Sequence, residues 1–393
     1  MPLDRWEIPK DLLSCTEANE ESLPVIYGQK LSKRSFYEST GTSTKLGIDI
    51  FGSAFFILTR YEEIIKSVRD HFDRFLFSAS LAYKEGFLER PIVNEYLDLL
   101  WALLKRIWPS LKRKERDYRF VLSHDVDDPA WVAGKSWPTV LRNTAGDVLR
   151  RHELGMAWHR FRTRIQTGYD RYERDPAYQF DFIMSLSEQL EVKSAFNFIS
   201  ERTAGEIDGY YDLRSPWIRR LLKAIHKRGH EIGLHTSFQT YLDPKQIKKE
   251  FEKLRMVCAS EGIEQQAWGG RQHFLRWKGP VTWQGWEDAG LTYDSTLAFS
   301  GHIGFRCGTC YEYPVYNLNT RKQLELLERP LVALDRTLFD YMKLSEEEAM
   351  KRIFDLALVC KAHRGDFTLL WHNNDLLTQQ QREFYRSVAA GCV

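Results

Sequence analysis

From Tyr178 to the C-terminus, short apolar runs of strand length alternate with segments whose apolar positions recur every three or four residues. The spacing predicts helices over 180–190, 216–227, 244–260, 282–289 and 345–363, and a closing helix at the C-terminus. Strands are predicted over 195–199, 231–234, 266–270, 291–294, 324–327 and 367–371. Upstream, Phe120-Val121-Leu122-Ser123-His124-Asp125-Val126-Asp127-Asp128 is an apolar, strand-forming run that ends in carboxylates. Repeating strand–helix units of this kind predict a parallel α/β sheet, and their number predicts a barrel.

Four of these strand ends carry reactive side chains. The first supplies Asp125 and Asp127, which alternation places on one side. Two neighbouring carboxylates repel unless a cation or a proton sits between them. The others are Gly229-His230-Glu231-Ile232-Gly233-Leu234-His235-Thr236-Ser237, Gly269-Gly270-Arg271-Gln272-His273-Phe274 and Leu370-Trp371-His372-Asn373-Asn374. In a parallel barrel such ends converge on one face.

Residues 1–115 read as a separate module. It has an apolar piece over 46–59, helical spacing over 61–68 and a helix over 91–107 that Pro109 stops. The run Lys112-Arg113-Lys114-Glu115-Arg116 reads as a solvated linker. The interval 129–177 is a long insertion between the first strand and the next helix. It mixes Trp131, Trp137 and Trp158 with Arg142, Arg150, Arg151, Arg160, Arg162, Arg164, Arg171 and Arg174. An amphipathic helical hairpin with a solvated face fits this pattern. So does a holder for an anionic glycan or a lipid-linked phosphate.

Composition changes this picture little. The 393 residues are 43% hydrophobic and 28% charged with a formal charge of +2, which gives no reason to expect nucleic-acid binding. The 12 Trp, 18 Tyr and 23 Phe suit a large core or a sugar-binding groove. No secretory signal and no membrane span is visible, so the expected location is cytoplasmic, with peripheral membrane association left open. The six cysteines, Cys15 among them, show no disulfide-framework spacing. Cys307-Gly308-Thr309-Cys310 lacks a second pair to complete a zinc site, and its segment reads as a substrate-side loop.

The motifs resemble those of the polysaccharide deacetylase (NodB-homology) superfamily, carbohydrate esterase family 4, from about Arg119 to the C-terminus. Ser-His-Asp-Val-Asp resembles the first motif and Gly-His-Glu-Ile-Gly-Leu-His-Thr-Ser the second. Gly-Arg-Gln-His-Phe stands where the third belongs, and Leu-Leu-Trp-His resembles the last. The N-terminal module resembles the companion domain of an uncharacterised bacterial branch. The resemblance implies a distorted (β/α)7 barrel that removes acetyl groups from N-acetylated sugars with a divalent metal, zinc above all, or cobalt or nickel. It implies Asp125 as general base, Arg271 as its partner and His372 as general acid. Asp127 and His235 become metal ligands. Leu370 and Trp371 are expected to line the acetyl pocket, and Phe274 and Asp294 to belong to the substrate side, with Asp294 orienting His372 or Arg271. Arg306, in the substrate-side loop, is expected to contact an acidic group on the glycan.

The chain also departs from the family pattern. Four positions after His235, where a second ligand histidine belongs, stands Gln239; His273 replaces a proline and is the expected third ligand. The partner implied is an N-acetylated glycan or a lipid- or nucleotide-linked sugar. Two alternatives remain open: a degenerate relative that binds glycan or scaffolds polysaccharide assembly, and an amidohydrolase acting on a non-sugar substrate.

Overall fold

A computed structural model describes all residues except 1, 14–21, 33, 34, 41, 42, 134, 150, 151, 153 and 168–171. Cys15, Arg150, Arg151 and Arg171 therefore lie outside the described residues. The N-terminal module contains two small antiparallel pairs, β1 (Asp4–Glu7) with β2 (Ser22–Val25) and β3 (Tyr37–Ser39) with β4 (Thr44–Leu46). Helices Ile50–Leu58 and Ile92–Ile107 pack beside them. Trp6, Phe36, Ile50, Tyr96 and Leu99 lie in a core of their own.

The remainder is one nine-stranded sheet with helices packed on it. Its strands are β5 (Arg119–Val126), β6 (Ser194–Ile199), β7 (Glu231–Thr236), β8 (Gly269–Gln272), β9 (Tyr293–Asp294), β10 (Tyr313–Asn317), β11 (Lys322–Glu328), β12 (Ala333–Leu334) and β13 (Asp366–Leu370). They run in the order β10-β11-β9-β8-β7-β6-β5-β13-β12, and every neighbouring pair is parallel except β10 with β11. The sheet curls as a half-barrel, with β10 and β12 as its two edges. The fold class expected from the sequence holds in this form.

Local chemistry explains the units. Helix Pro216–Lys227 starts with proline in its first turn, where no N–H is lost, and ends on His226 and Lys227, which suit the helix C-terminus. Its Ile218, Leu221, Leu222 and Ile225 form one buried stripe, the 3.6-residue pattern facing the sheet. Strands β6 and β13 are buried at every residue.

The insertion after β5 is a hairpin of two helices, Trp137–Leu149 and Leu154–Thr167. Its base is closed by the buried Asp175 carboxylate, which accepts the backbone N–H groups of Trp131, Val132 and Ala133 at 2.7, 2.7 and 2.8 Å.

The two cores meet through buried polar contacts. Arg306 forms a two-pronged pair with Glu63 at 2.9 and 2.6 Å, and Arg60 Nε donates to the same carboxylate at 3.0 Å. Phe305 N–H donates to Leu88 O, and Val93 N–H to Gly308 O. The Cys307–Cys310 loop is thus not on a substrate side: both thiols are buried, and the loop is stitched to the N-terminal module. Arg306 is likewise spent on Glu63 and is 3% exposed, so the expected substrate contact is corrected.

Candidate active site

Sheet register brings the strand ends together. Asp125 sits opposite Asn197 on β6, and His235 on β7 sits opposite Ile199 on one side and Arg271 of β8 on the other. Trp371 N–H donates to Ser123 O, which carries the chain after β13 to the same end. Gly233 serves this packing, because a Cβ there would meet Asn197 Oδ1 at 2.1 Å. The result is a cavity of about 390 Å³ whose walls include Asp125, Asp127, His235, His273 and His372.

Asp125 is 2% exposed. Its Oδ1 accepts from Arg271 Nη1 at 2.7 Å and from Asn197 Nδ2 at 2.8 Å. Burial works against its charged form, but Arg271, then His235 and His372, hold the carboxyl below the ordinary range. Arg271 is itself locked: Nε donates to Ser295 O, and Nη2 reaches the hydroxyls of Ser123 and Ser295.

Asp127 is the meeting point. Its Oδ1 lies 3.2 Å from His235 Nε2 and 3.6 Å from His273 Nε2, and its Oδ2 lies 3.6 Å from His372 Nε2. The far side of each ligand-type imidazole is committed. His235 Nδ1 faces Arg271 O at 2.9 Å, and His273 Nδ1 faces Asp208 Oδ1 at 3.0 Å. Those contacts fix both Nδ1 atoms as donors and leave the Nε2 lone pairs pointing at Asp127.

A divalent metal fits this set. Asp127 Oδ1 is buried without a hydrogen-bond partner, an arrangement that is costly unless something else satisfies it. Ligand atoms of Asp127, His235 and His273 all lie within 4.8 Å of one another. A tetrahedral site with bonds of about 2.0–2.1 Å needs edges of about 3.3–3.4 Å, close to the 3.2 and 3.6 Å from Asp127 Oδ1 to His235 Nε2 and His273 Nε2. Gln239 lies outside this triad; its backbone N–H donates to Thr203 Oγ1.

His372 is held by an acid that sequence reasoning missed. Asp335, at the end of β12, accepts from the His372 backbone N–H at 2.6 Å and meets Nδ1 at 2.8 Å. Burial lowers the affinity of this imidazole for a proton, but Asp335, then Asp127 and Asp125, raise its pKa to about 10. Asp335, His372 and Asp375 form a second group with metal-ligand geometry, but Asp375 is already paired with Arg336 at 3.0 Å.

The other expected positions divide. Leu370 and Phe274 line the cavity, Phe274 with φ 60° in the left-handed region. Trp371 does not; it packs against Phe339, Phe384 and Tyr385 and borders a neighbouring cavity. Asp294 is buried away from the cavity, bonded to the Thr296 backbone and hydroxyl, so Asp335 takes the orienting place expected of it. His124 points to the opposite face, stacked on Phe196 with Nδ1 at Trp371 O, and burial lowers its pKa to about 4.

Asn197, Asp208 and Arg74 were also unforeseen. Arg74 comes from the N-terminal module and donates to Phe274 O at 3.3 Å and to Tyr341 Oη at 3.1 Å in the cavity wall. A polar residue inside the apolar run Phe196-Asn197-Phe198 was the available signal for Asn197, and an acid closing Leu331-Val332-Ala333-Leu334-Asp335 that for Asp335.

Comparison with known proteins adds the following. Residues 4–109 match a family model described as a family of unknown function (DUF7033). No curated protein matches the chain. Among solved structures, a protein from Mycobacterium smegmatis assigned as a polysaccharide deacetylase is 16% identical. That match covers 71% of this chain and 87% of its own, with a TM-score of 0.42. One from Pseudomonas aeruginosa PAO1 with a similar assignment is 14% identical, over 70% and 83% of the two chains, with a TM-score of 0.37. Puue allantoinase is 13% identical, over 69% and 82%, with a TM-score of 0.39. In its N-terminal module the chain is similar to a family of unknown function.

Proposed function

We propose that the chain is a metal-dependent hydrolase that removes acetyl groups from N-acetylated sugars of a cell-surface glycan or its precursor. The observation that supports this reading most is one cavity holding three complementary parts. These are a buried carboxylate on an arginine, an open Asp–His–His triad, and an imidazole backed by a second carboxylate.

Asp127, His235 and His273 are the residues that would hold the metal, which when bound polarises the amide carbonyl and acidifies the attacking water. Asp125 has its Oδ1 committed to Arg271 and Asn197, so Oδ2 is the oxygen left to take the water proton. Arg271 keeps that carboxylate ionised and aimed. As the water oxygen adds to the carbonyl carbon and the C–N bond breaks, His372 gives its Nε2 proton to the leaving amine. Asp335 holds the His372 ring through Nδ1 and keeps it protonated until that moment. Leu334 and Leu370, both in the cavity wall, offer an apolar seat for the acetyl methyl. The products are acetate and a free amino sugar.

The test is acetate release from a panel of N-acetylhexosamine substrates by zinc-loaded protein. Release that disappears in Asp125→Asn supports the reading. Silence across the panel together with hydrolysis of a non-sugar amide moves the assignment to the amidohydrolase alternative.

A further inference from the structure

The helical hairpin after β5 buries few apolar side chains. Its inner face holds Val140 and Ala157, but also the ion pair of Arg160 Nε with Asp147 Oδ2 at 2.7 Å, and Thr163, Arg164 and Thr167 are buried with them. Its outer faces carry the apolar residues. On helix Trp137–Leu149 the exposed Trp137, Leu141 and Leu149 stand on one stripe at helical spacing. On helix Leu154–Thr167 the exposed apolar residues are Leu154, Met156, Trp158 and Ile165. Leu149 and Leu154, at the two ends nearest the turn, are 73% and 70% exposed. Phe161 joins the stripes, with ring centroids 6.0 Å from Trp137 and 6.4 Å from Trp158. A surface helix ordinarily turns such residues inward, and a contiguous exposed apolar ridge marks an interaction surface.

Charge selects the partner. Arg142 and Arg162 are exposed among the apolar side chains. The only described carboxylate of the hairpin helices, Asp147, is buried and paired. Tryptophan beside arginine on an amphipathic helix is the composition of the membrane–water boundary. Helices of 13 and 14 residues are too short to span a bilayer but suited to lying in its surface. Among the described residues no helix is long and apolar enough to cross a membrane.

Position gives the surface a purpose. Arg142 Nη2 lies 3.5 Å from Glu206 Oε1, in the turn Gly205–Asp208. That turn supplies Ile207 to the cavity wall and Asp208 to His273. We propose that the outer face of the hairpin docks the protein on an anionic lipid bilayer, its aromatic ridge in the headgroup boundary and its arginines on lipid phosphates. The candidate active site then sits beside the membrane surface, where a sugar carried on a lipid is within its range.

The test is co-sedimentation of the full chain with phosphatidylcholine vesicles, with and without phosphatidylglycerol. The protein is expected to pellet with the anionic vesicles, less so as salt rises. Leu154→Gln/Trp158→Gln should weaken that binding by at least about tenfold, a loss of roughly 1.4 kcal/mol. Its thermal unfolding should not change, because both side chains face outward. Arg142→Gln/Arg162→Gln should remove the preference for anionic vesicles while leaving the ridge intact. Failure of the wild type to bind either vesicle, or equal binding by both variants, overturns the proposal. So does a solution dimer that the Leu154→Gln/Trp158→Gln variant breaks without any vesicle binding, since a second copy then covers the ridge. Vesicle binding is read without turnover, so its outcome is separate from that of the deacetylase reading.

Discussion

Two buried charge clusters in this molecule have opposite designs. At the junction of the two cores, Glu63 is enclosed by Arg306 and Arg60, and both its oxygens are used. In the barrel, Asp127 is surrounded by three imidazole Nε2 atoms, keeps an oxygen without a hydrogen-bond partner and faces a cavity. Burying charge is costly unless it is compensated. The junction is compensated within the protein and serves as structure. The cavity cluster leaves one carboxylate oxygen open to something from outside, which is the signature of a site.

Variants that open the closed cluster or block the open one sharpen this contrast. The largest effect is expected from Asp125→Asn, which keeps the shape and the Arg271 contact but removes the base. Acetate release should fall by about 10²–10⁴-fold while bound metal is retained. Concurrent loss of metal would show that Asp125 belongs to the ligand set.

Glu63→Gln leaves two buried guanidinium groups without their carboxylate. Chemical unfolding should report a loss of about 3–5 kcal/mol. The cavity cluster, reached through different residues, should still take up metal in the folded fraction.

The same pair predicts an acid limb. Burial alone would raise the Glu63 pKa, but Arg306 and then Arg60 hold it down to about 2. A folded-state value below the unfolded one means that the contribution is complete above the ordinary 4.5 and fades as pH falls toward 2. The amount at stake is roughly 3 kcal/mol by the linkage relation. Unfolding curves of wild type and Glu63→Gln should therefore converge through that window; parallel curves would deny the pairing.

The mildest effect belongs to Asp208→Asn. It keeps a hydrogen-bond partner for His273 Nδ1 but withdraws the charge that fixes the ring. Metal affinity should drop by about 10–100-fold, and zinc titration measures it. No change would mean that the hydrogen bond and the packing against His235 and Phe274 hold His273 without the charge of Asp208.

The units that set the fold were legible because their patterns are local. Helices Pro216–Lys227 and Pro244–Ser260 start and stop where proline, caps and apolar spacing place them. Asp125, Asp127, His235, Arg271 and His372 stood out because each ends or follows a strand-like run. Short elements hid the rest. Asp335 follows a two-residue strand, too brief for any periodicity, and Asp208 lies in a turn without a motif. Arg306 misled because an arginine in a glycine-containing loop looks free until a distant helix supplies Glu63, 243 residues away in sequence. Trp371 alternates away from the cavity between Leu370 and His372, and the sequence motif alone does not reveal which of the three faces it. The open edges of the sheet depend on the local antiparallel hairpin of β10 with β11 and on the long-range pairing of β12 with β13, which unit counting does not report.

Metal stoichiometry tests the central claim most directly. Protein dialysed against zinc and then against metal-free buffer should retain one equivalent per chain, and His273→Ala, folded as judged by its thermal transition, should retain almost none. Full zinc retention by His273→Ala, or none by the wild type, would contradict the assignment of Asp127, His235 and His273 as the metal site.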